Sequence, residues 1–397
     1  MQDAAATVFL NDRRVGVLGF HGGNTWFDYT DLAPDHPVLG QGFQRDPRKR
    51  RTASGSVPEW FSNLLPEPGS GLRRLVATEL GRTSVHDFLL LTHLGEDLPG
   101  AVRVIVDGDL SAIPELRDAE ECTHDHPLRF SLAGAQPKFS MAEDGKAMVL
   151  PATGQGGDWI VKLPDRRFPE VPANEFAMLE WARLAGIEVP PCRLVPASEL
   201  HGLPRGLVKS GEYALAVRRF DRTEAGRVHQ EDFAQVREVS ADTKYDRASY
   251  AGVGRVVRAV CPPDDYPEYI RRLAAAVVMG NLDAHLKNWT LRYPDGRQAR
   301  LSPAYDLVSV TSYPEFTEDR LAFALGGTHS TRLIGTENFH LLAEALHADP
   351  KRTAAIAVET AAAMAASWPE VKRNLPVPEF VTEHIEERLE GLPLLRG

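Results

Sequence analysis

The chain reads as an α+β protein in two lobes, a β-rich amino-terminal part followed by a helical carboxy-terminal part. Three observations carry this. Short runs rich in β-branched and aromatic residues, broken by turn formers, occur at 7–10, 15–20 and 26–29, and strand-like patterning returns over about 127–222. From about residue 229 the pattern becomes mostly helical. With 397 residues the chain is too long for one hydrophobic core, so two or more substructures are expected.

The elements follow in order. In the first block, 57–65 and 71–80 look helical beside the β-type runs. The second block has one strong helix, 173–185, where Phe176, Leu179, Trp181 and Leu184 fall on one face. The third has helical runs at 232–239, 250–260, 266–280, 337–347, 351–367 and 378–389, the fifth of them Ala-rich. These blocks set boundaries at 1–110, 111–225 and 226–397, with no internal repeat.

Composition narrows the function classes. Hydrophobic residues make up 43% and charged residues 25%, the balance of a soluble chain. No apolar run approaches the roughly 20 residues of a bilayer span. The first nine residues lack a basic start and a long apolar core, so no secretion signal is read. Cys122, Cys192 and Cys261 are odd in number and far apart, which fits neither a disulfide framework nor a zinc site. A cytoplasmic protein without a membrane partner is expected. A net charge of −10 disfavours nonspecific nucleic-acid binding. The basic run 45–51 is the local exception, read either as a solvated loop or as a patch facing an acidic partner.

The strongest chemical signal is Gly280-Asn281-Leu-Asp283-Ala-His285-Leu-Lys287-Asn288, after an amphipathic helix and before a hairpin of 289–293 and 298–301. A carboxylate followed five residues later by an amide is what a phosphotransferase loop requires. The first accepts a hydrogen bond from the attacking hydroxyl, and the second reaches a magnesium ion on the nucleotide phosphates. His285 and Lys287 add donors toward the transferred group. The hairpin then delivers Asp306, a second carboxylate to complete the metal site. Upstream, Gly134 and Ala135 sit at the tip of an alternating segment, where small residues let backbone N–H groups approach phosphate. Lys162 lies on an apolar strand and needs a partner there.

The loop and Ser302-Pro-Ala-Tyr305-Asp306-Leu-Val-Ser309 resemble the catalytic loop and metal-binding segment of the HipA family, the kinase toxins of HipA–HipB toxin–antitoxin systems. Ser131-Leu-Ala133-Gly134-Ala135-Gln136-Pro137-Lys138 is similar to that family's phosphate-binding loop, Trp159-Ile-Val-Lys162 to its lysine-bearing strand, and His229-Gln-Glu-Asp232 to a signature opening its helical lobe. The resemblance spans nearly the whole chain. It implies a protein-kinase-like fold that uses ATP and Mg2+, with a small amino-terminal β subdomain, a β-rich lobe and an all-helical carboxy-terminal lobe.

Residue by residue, the resemblance implies catalysis by Asp283, Asn288 and Asp306, with Asn288 and Asp306 on the metal. The nucleotide would meet Ala133, Gly134, Ala135, Gln136, Lys138 and Lys162, the backbone of the lobe-joining Arg218, Arg219 and Phe220, and His285, Lys287, Asn288, Tyr305 and Asp306. Arg218 stands where an acidic residue is expected, and Pro137 removes one N–H donor. Glu175 either holds Lys162 or yields to a capping role for its neighbour Asn174. Residues 229–232 either order the site or cap the next helix. Ser131 corresponds to the family's autophosphorylation site, where a phosphate would repel the nucleotide and expel the loop.

The expected activity is transfer of the ATP γ-phosphoryl group to a protein serine or threonine. The family's targets imply an aminoacyl-tRNA synthetase, of the glutamyl-tRNA synthetase kind, with slowed translation and dormancy as the outcome. A HipB-like helix-turn-helix antitoxin is the implied partner, and operator DNA would be reached mainly through it. Two other readings use the same residues. One is a small-molecule kinase of the aminoglycoside or choline kinase type, and the other a catalytically quiet corepressor in an antitoxin–DNA complex.

Overall fold

Alternation along the first strand decides which way the amino-terminal sheet faces. In β1 (Ala4–Leu10), Ala4, Ala6, Val8 and Leu10 are all buried, the period-2 signature of a strand with one face on a core. With β2 (Arg13–His21), β3 (Asn24–Tyr29), β4 (Arg51–Ser54) and β5 (Val102–Val106) it forms an antiparallel sheet in the order β4-β3-β2-β1-β5. The helices α1 (Gln41–Arg45), α2 (Glu59–Ser62), α3 (Gly71–Glu79) and α4 (Asp87–His93) contribute to the same core. At its centre Phe27 meets Phe61 and Phe43 edge-on, with ring centroids 4.8 and 5.4 Å apart, the arrangement that aromatic quadrupoles favour.

The computed structural model describes residues 4–31, 33, 35–106, 108, 137–150, 156–204, 206–240, 243–245 and 248–396. Ser131, Ala133, Gly134, Ala135 and Gln136 lie outside the described residues. The basic run 45–51 divides. Arg51 is buried, donates to the carbonyls of Gly42, Asp46 and Lys49 and lies over the Phe43 ring, while Arg45, Arg48, Lys49 and Arg50 are exposed.

A second sheet joins β6 (Lys138–Asp144), β7 (Ala147–Val149), β8 (Trp159–Lys162), β9 (Cys192–Pro196), β10 (Leu200–His201) and β11 (Tyr213–Arg218) in the order β10-β7-β6-β8-β11-β9. Its centre is covered on both faces. On β11, Ala214 and Ala216 join a core with Met141, Trp159 and Val161, whereas Leu215 and Val217 join the helical core on the other side. Helix α5 (Val171–Leu184) packs on that side, where Trp181 stacks at 4.6 Å on Trp368 and donates to the Met364 carbonyl. A two-stranded ribbon, β12 (Arg222–Thr223) and β13 (Gly226–Arg227), leads into the carboxy-terminal part.

Among the described residues that part is mostly helical, with one small sheet: β14 (His229–Asp232), β15 (Thr290–Tyr293) and β16 (Arg300–Leu301), in that order. The expectation of an all-helical lobe is corrected here. Residues 229–232 form a strand because His229 and Glu231 alternate inward against β15. Around the sheet lie α6 (Phe233–Arg237), α7 (Tyr250–Val260), α8 (Asp265–Met279), α9 (Thr336–Ala345), α10 (Pro350–Asn374) and α11 (Glu379–Gly391). The last turns of α8, Ala274 to Met279, are buried on all sides, so this helix is a fixed post for the loop that follows. No helix among the described residues is long and apolar enough to cross a membrane.

Candidate active site

The loop after α8 begins at a glycine whose position penalises any side chain. Gly280 has φ 68°, and a Cβ there would lie 1.9 Å from Thr311 Oγ1. The chain then leaves the helix axis, makes one 3-10 turn at Leu286–Asn288 and enters β15. Two bonds brace this short path. Asn288 Nδ2 donates to the Asp283 carbonyl at 2.7 Å, and Trp289 Nε1 to the Ala284 carbonyl at 3.2 Å.

Asp283 is nearly buried, and its Oδ1 accepts from the Tyr245 hydroxyl at 2.5 Å. Asn281 ties the loop to the segment after the hairpin. Its Oδ1 accepts from the Asp283 N–H at 3.0 Å, and its Nδ2 donates to the Asp306 carbonyl at 3.4 Å. Asp306 has φ 59°, a left-handed conformation that costs a non-glycine residue energy and persists only where surroundings fix it. Its carboxylate accepts from Lys162 Nζ at 2.5 Å, and the same ammonium donates to Glu175 Oε1 at 2.6 Å.

The charges of this cluster explain one another. Burial works against the Lys162 ammonium, but Asp306 and Glu175 together hold its pKa above the ordinary lysine value. Burial likewise pushes Asp306 up, yet Lys162 and Lys138 outweigh it and bring the carboxyl down to about 2. Glu175, with almost no exposure, is raised to about 7 by burial in spite of Lys162. Lys138 is directly opposite Lys162 across β6 and β8, so both side chains leave the same face of the sheet. His285 is 1% exposed, and burial, with the nearby Lys244, keeps its imidazole well below the ordinary value and hence neutral near pH 7.

The site thus brings together Asp283, His285, Asn288, Asp306, Lys138 and Lys162. The other expected contacts divide. Lys287 turns away: its ammonium donates to the Asn63 carbonyl and side chain at 3.0 and 3.1 Å and to Asp232 at 3.1 Å. The expected role of Lys287 on phosphate is therefore corrected, because three acceptors already take its three donors. The Arg219 side chain is buried against Asp97 and Asp221 and anchors the lobe-joining segment, whose expected nucleotide contact is through the backbone. Arg218 is exposed at the end of β11. Phe220 and Tyr305 face each other at 5.8 Å, and the Tyr305 hydroxyl is taken up by Thr290 and the Lys287 carbonyl.

Three further positions were settled by the fold. Asn174 is no N-cap; α5 starts at Val171, and the Asn174 amide instead bonds both ways with the Ser309 backbone, three residues after Asp306. Asp232 caps α6 through a reciprocal pair with Gln235 and also receives Lys287, so both readings of 229–232 hold in part. Glu231 accepts from the Gln41 N–H, Trp60 Nε1 and the Tyr293 hydroxyl, which fastens the amino-terminal block to the small sheet.

Sequence reasoning missed Asn281, Asn63 and Tyr245. Asn281 had a signal, as a short polar residue two positions before Asp283; the other two had none. For a metal, no cluster of three or more His, Cys, Asp or Glu side chains exists among the described residues. The donor set still suits magnesium. The ion takes one or two protein carboxylates and fills its shell with water and phosphate, and Asp306 with the amide oxygen of Asn288 supplies hard oxygens.

A family model described as HipA N-terminal domain matches residues 6–105, and one described as HipA-like C-terminal domain matches 130–368. The Sinorhizobium fredii protein named “Putative kinase Y4dM” is 42% identical over 343 residues, spanning 86% of this chain and 83% of that protein. A second from the same organism, “Putative kinase Y4mE”, is 29% identical over 349 residues, spanning 80% and 78%. Among solved structures, a chain from the Shewanella oneidensis MR-1 toxin–antitoxin complex of HipA, HipB and operator DNA has the same fold, with a TM-score of 0.71 at 22% identity. The match covers 97% of this chain and 96% of that one. The chain belongs to the HipA family.

Proposed function

We propose that this chain is a protein kinase of the toxin type, transferring the γ-phosphoryl group of ATP to a serine or threonine hydroxyl of a protein. The observation that carries the reading is convergence. Asn281 joins the Asp283 and Asp306 segments, and Asp306 in turn holds Lys162 of the β-rich lobe. The segments carrying Asp283, Asn288 and Asp306 are thus tied together beside a paired lysine, which supports a set of the groups a phosphoryl transfer needs.

In this scheme Asp283 accepts the proton of the attacking hydroxyl, and its position is held by Asn281 and Asn288. Lys162, kept charged by Glu175 and Asp306, and Lys138 beside it face the nucleotide phosphates. Asn288 and Asp306 would hold Mg2+, which when bound neutralises charge on the phosphate oxygens. Neutral, buried His285 lies within the loop, its Nε2 3.7 Å from Asp283 Oδ1. Ser131 is proposed as the autophosphorylation site, and a phosphate there would add about −1.5 to −2 charges beside the nucleotide.

The family relationship supports an aminoacyl-tRNA synthetase as target and a HipB-like antitoxin as partner, with operator DNA reached through the antitoxin. The cytoplasm is the proposed compartment. The decisive measurement is phosphoproteomics after brief expression of the parent chain and of Asp283→Ala. Phosphopeptides from a synthetase should appear with the parent only, and purified Asp283→Ala should lose roughly 10²–10⁴-fold in transfer to protein. A variant that transfers phosphate as fast as the parent overturns the assignment.

A further inference from the structure

Tyr245 touches the proposed base and has no part in the scheme above. Its hydroxyl donates to Asp283 Oδ1 at 2.5 Å. In a phosphotransferase the carboxylate of the base is where the acceptor hydroxyl donates. The phenol therefore occupies the place of the substrate's hydroxyl.

The arrangement is held from outside the loop. Lys244, the preceding residue, is 6% exposed; its ammonium donates to Glu67 of the amino-terminal block at 2.9 Å and lies 5.6 Å over the Tyr245 ring. The ring itself stands edge-on to buried His285 at 5.1 Å. Four residues before Glu67, Asn63 takes the ammonium of Lys287 from the loop itself. One edge of the amino-terminal block thus grips both the loop that carries the base and the segment that covers it.

Two roles compete for such a tyrosine: it orients the base, or it occupies the acceptor position. Asn281 and Asn288 fix the loop backbone, through the Asp283 N–H and carbonyl, whereas the phenol meets the carboxylate oxygen itself. A phenol donating to that carboxylate also occupies an acceptor site that an entering hydroxyl could use. Resting on the reading of Asp283 as base, we propose that Tyr245 is the acceptor gate of this enzyme and determines its specificity. The entering hydroxyl must displace the phenol, and Glu67, through Lys244, sets how hard that is. Water and small alcohols bring little binding energy to the exchange, whereas a protein segment docked along the amino-terminal edge brings much.

The test uses the full-length chain with ATP, Mg2+ and dephosphorylated casein as acceptor. Tyr245→Phe keeps the ring and removes the donor. Its KM for casein should fall about tenfold, and ATP hydrolysis without acceptor should rise by a similar factor, the effect of removing one hydrogen bond to a charged group. KM for ATP should stay unchanged. Glu67→Gln, remote from the reacting atoms, should move the same two quantities in the same direction by a smaller factor, and serves if Tyr245→Phe proves unstable. A lower kcat with unchanged or raised KM for casein, in either variant, overturns the gate and makes Tyr245 a positioning residue. A parent chain that consumes no ATP defeats the kinase reading instead, so the two failures are told apart.

Discussion

Lys162 stands between two carboxylates in a place that water hardly reaches, and its removal takes from Glu175 and Asp306 the ammonium that bonds both, leaving Lys138 as the nearby positive charge. A buried pair broken on one side costs on the order of 3–5 kcal/mol, well above the cost of an exposed pair. Lys162→Met should therefore lower stability by about that amount in urea denaturation at pH 7.5, besides abolishing transfer. Stability equal to the parent's would show that the cluster is solvated after all. The residues of this cluster were legible because their chemistry is written at fixed spacing. A lysine inside an apolar strand or an Asp near a helix end is ordinary alone; the order and spacing of Lys162, Asp283, Asn288 and Asp306 together made the chemistry readable. What could not be read is direction. Lys287 lies in the same motif, yet its ammonium points to Asn63, 224 residues away, and no local signal encodes so distant a partner. Tyr245 was illegible for the same reason: a tyrosine between charged residues looks like a solvated turn until the fold sets Asp283 against it.

Elements whose signals are local came through best. Helix α7 runs over Tyr250–Val260 as the sequence indicates, because Ser249 caps it and one face is apolar. Helix α10 extends well past the expected residue 367, to Asn374, since Pro369 argues against a helix in sequence while burial of Trp368 and Val371 holds it. Strand β14 was missed because four residues have too little pattern of their own; they become a strand only against β15, some 60 residues on. The decisive local feature is the end of α8. Gly280→Ala places a methyl in a left-handed position and into Thr311, which also donates its backbone N–H to the Gly280 carbonyl. The conformational part alone costs about 1 kcal/mol, and the clash should raise the loss to roughly 2–3 kcal/mol by analogy with overpacked sites. Because the residues that would be displaced are Asn281 and Asp283, transfer should fall far more than ATP binding. A variant with parental stability and kcat would refute this account of the loop.

At the scale of the whole molecule, the amino-terminal block is joined to the rest by buried polar groups. Asp221 accepts from the Gly100 N–H and from Arg219 and Arg222, which also reach Asp97. His229 donates from Nε2 to the Leu39 carbonyl, and burial drives its pKa down to about 4, so it stays neutral. Such a joint fixes one docking geometry, because sliding would strand each of these groups without a partner. It also makes the assembly sensitive to pH through Glu231. Burial raises this carboxyl from its ordinary 4.5 to about 7, with the bonds from Tyr293, Gln41 and Trp60 offsetting only part. Between those two values the folded chain holds a proton that the unfolded chain has lost, so stability falls as pH rises from about 4.5 to about 7 and levels off beyond. The Glu231 contribution across that window is on the order of 3 kcal/mol. Glu231→Gln removes the titration while leaving His229 in place. The variant should be less stable than the parent near pH 5, where the parent has its protonated carboxyl, and the gap should narrow steadily toward pH 8. Urea denaturation of both chains across that range checks it, and parallel stability curves would mean that Glu231 does not titrate in the joint.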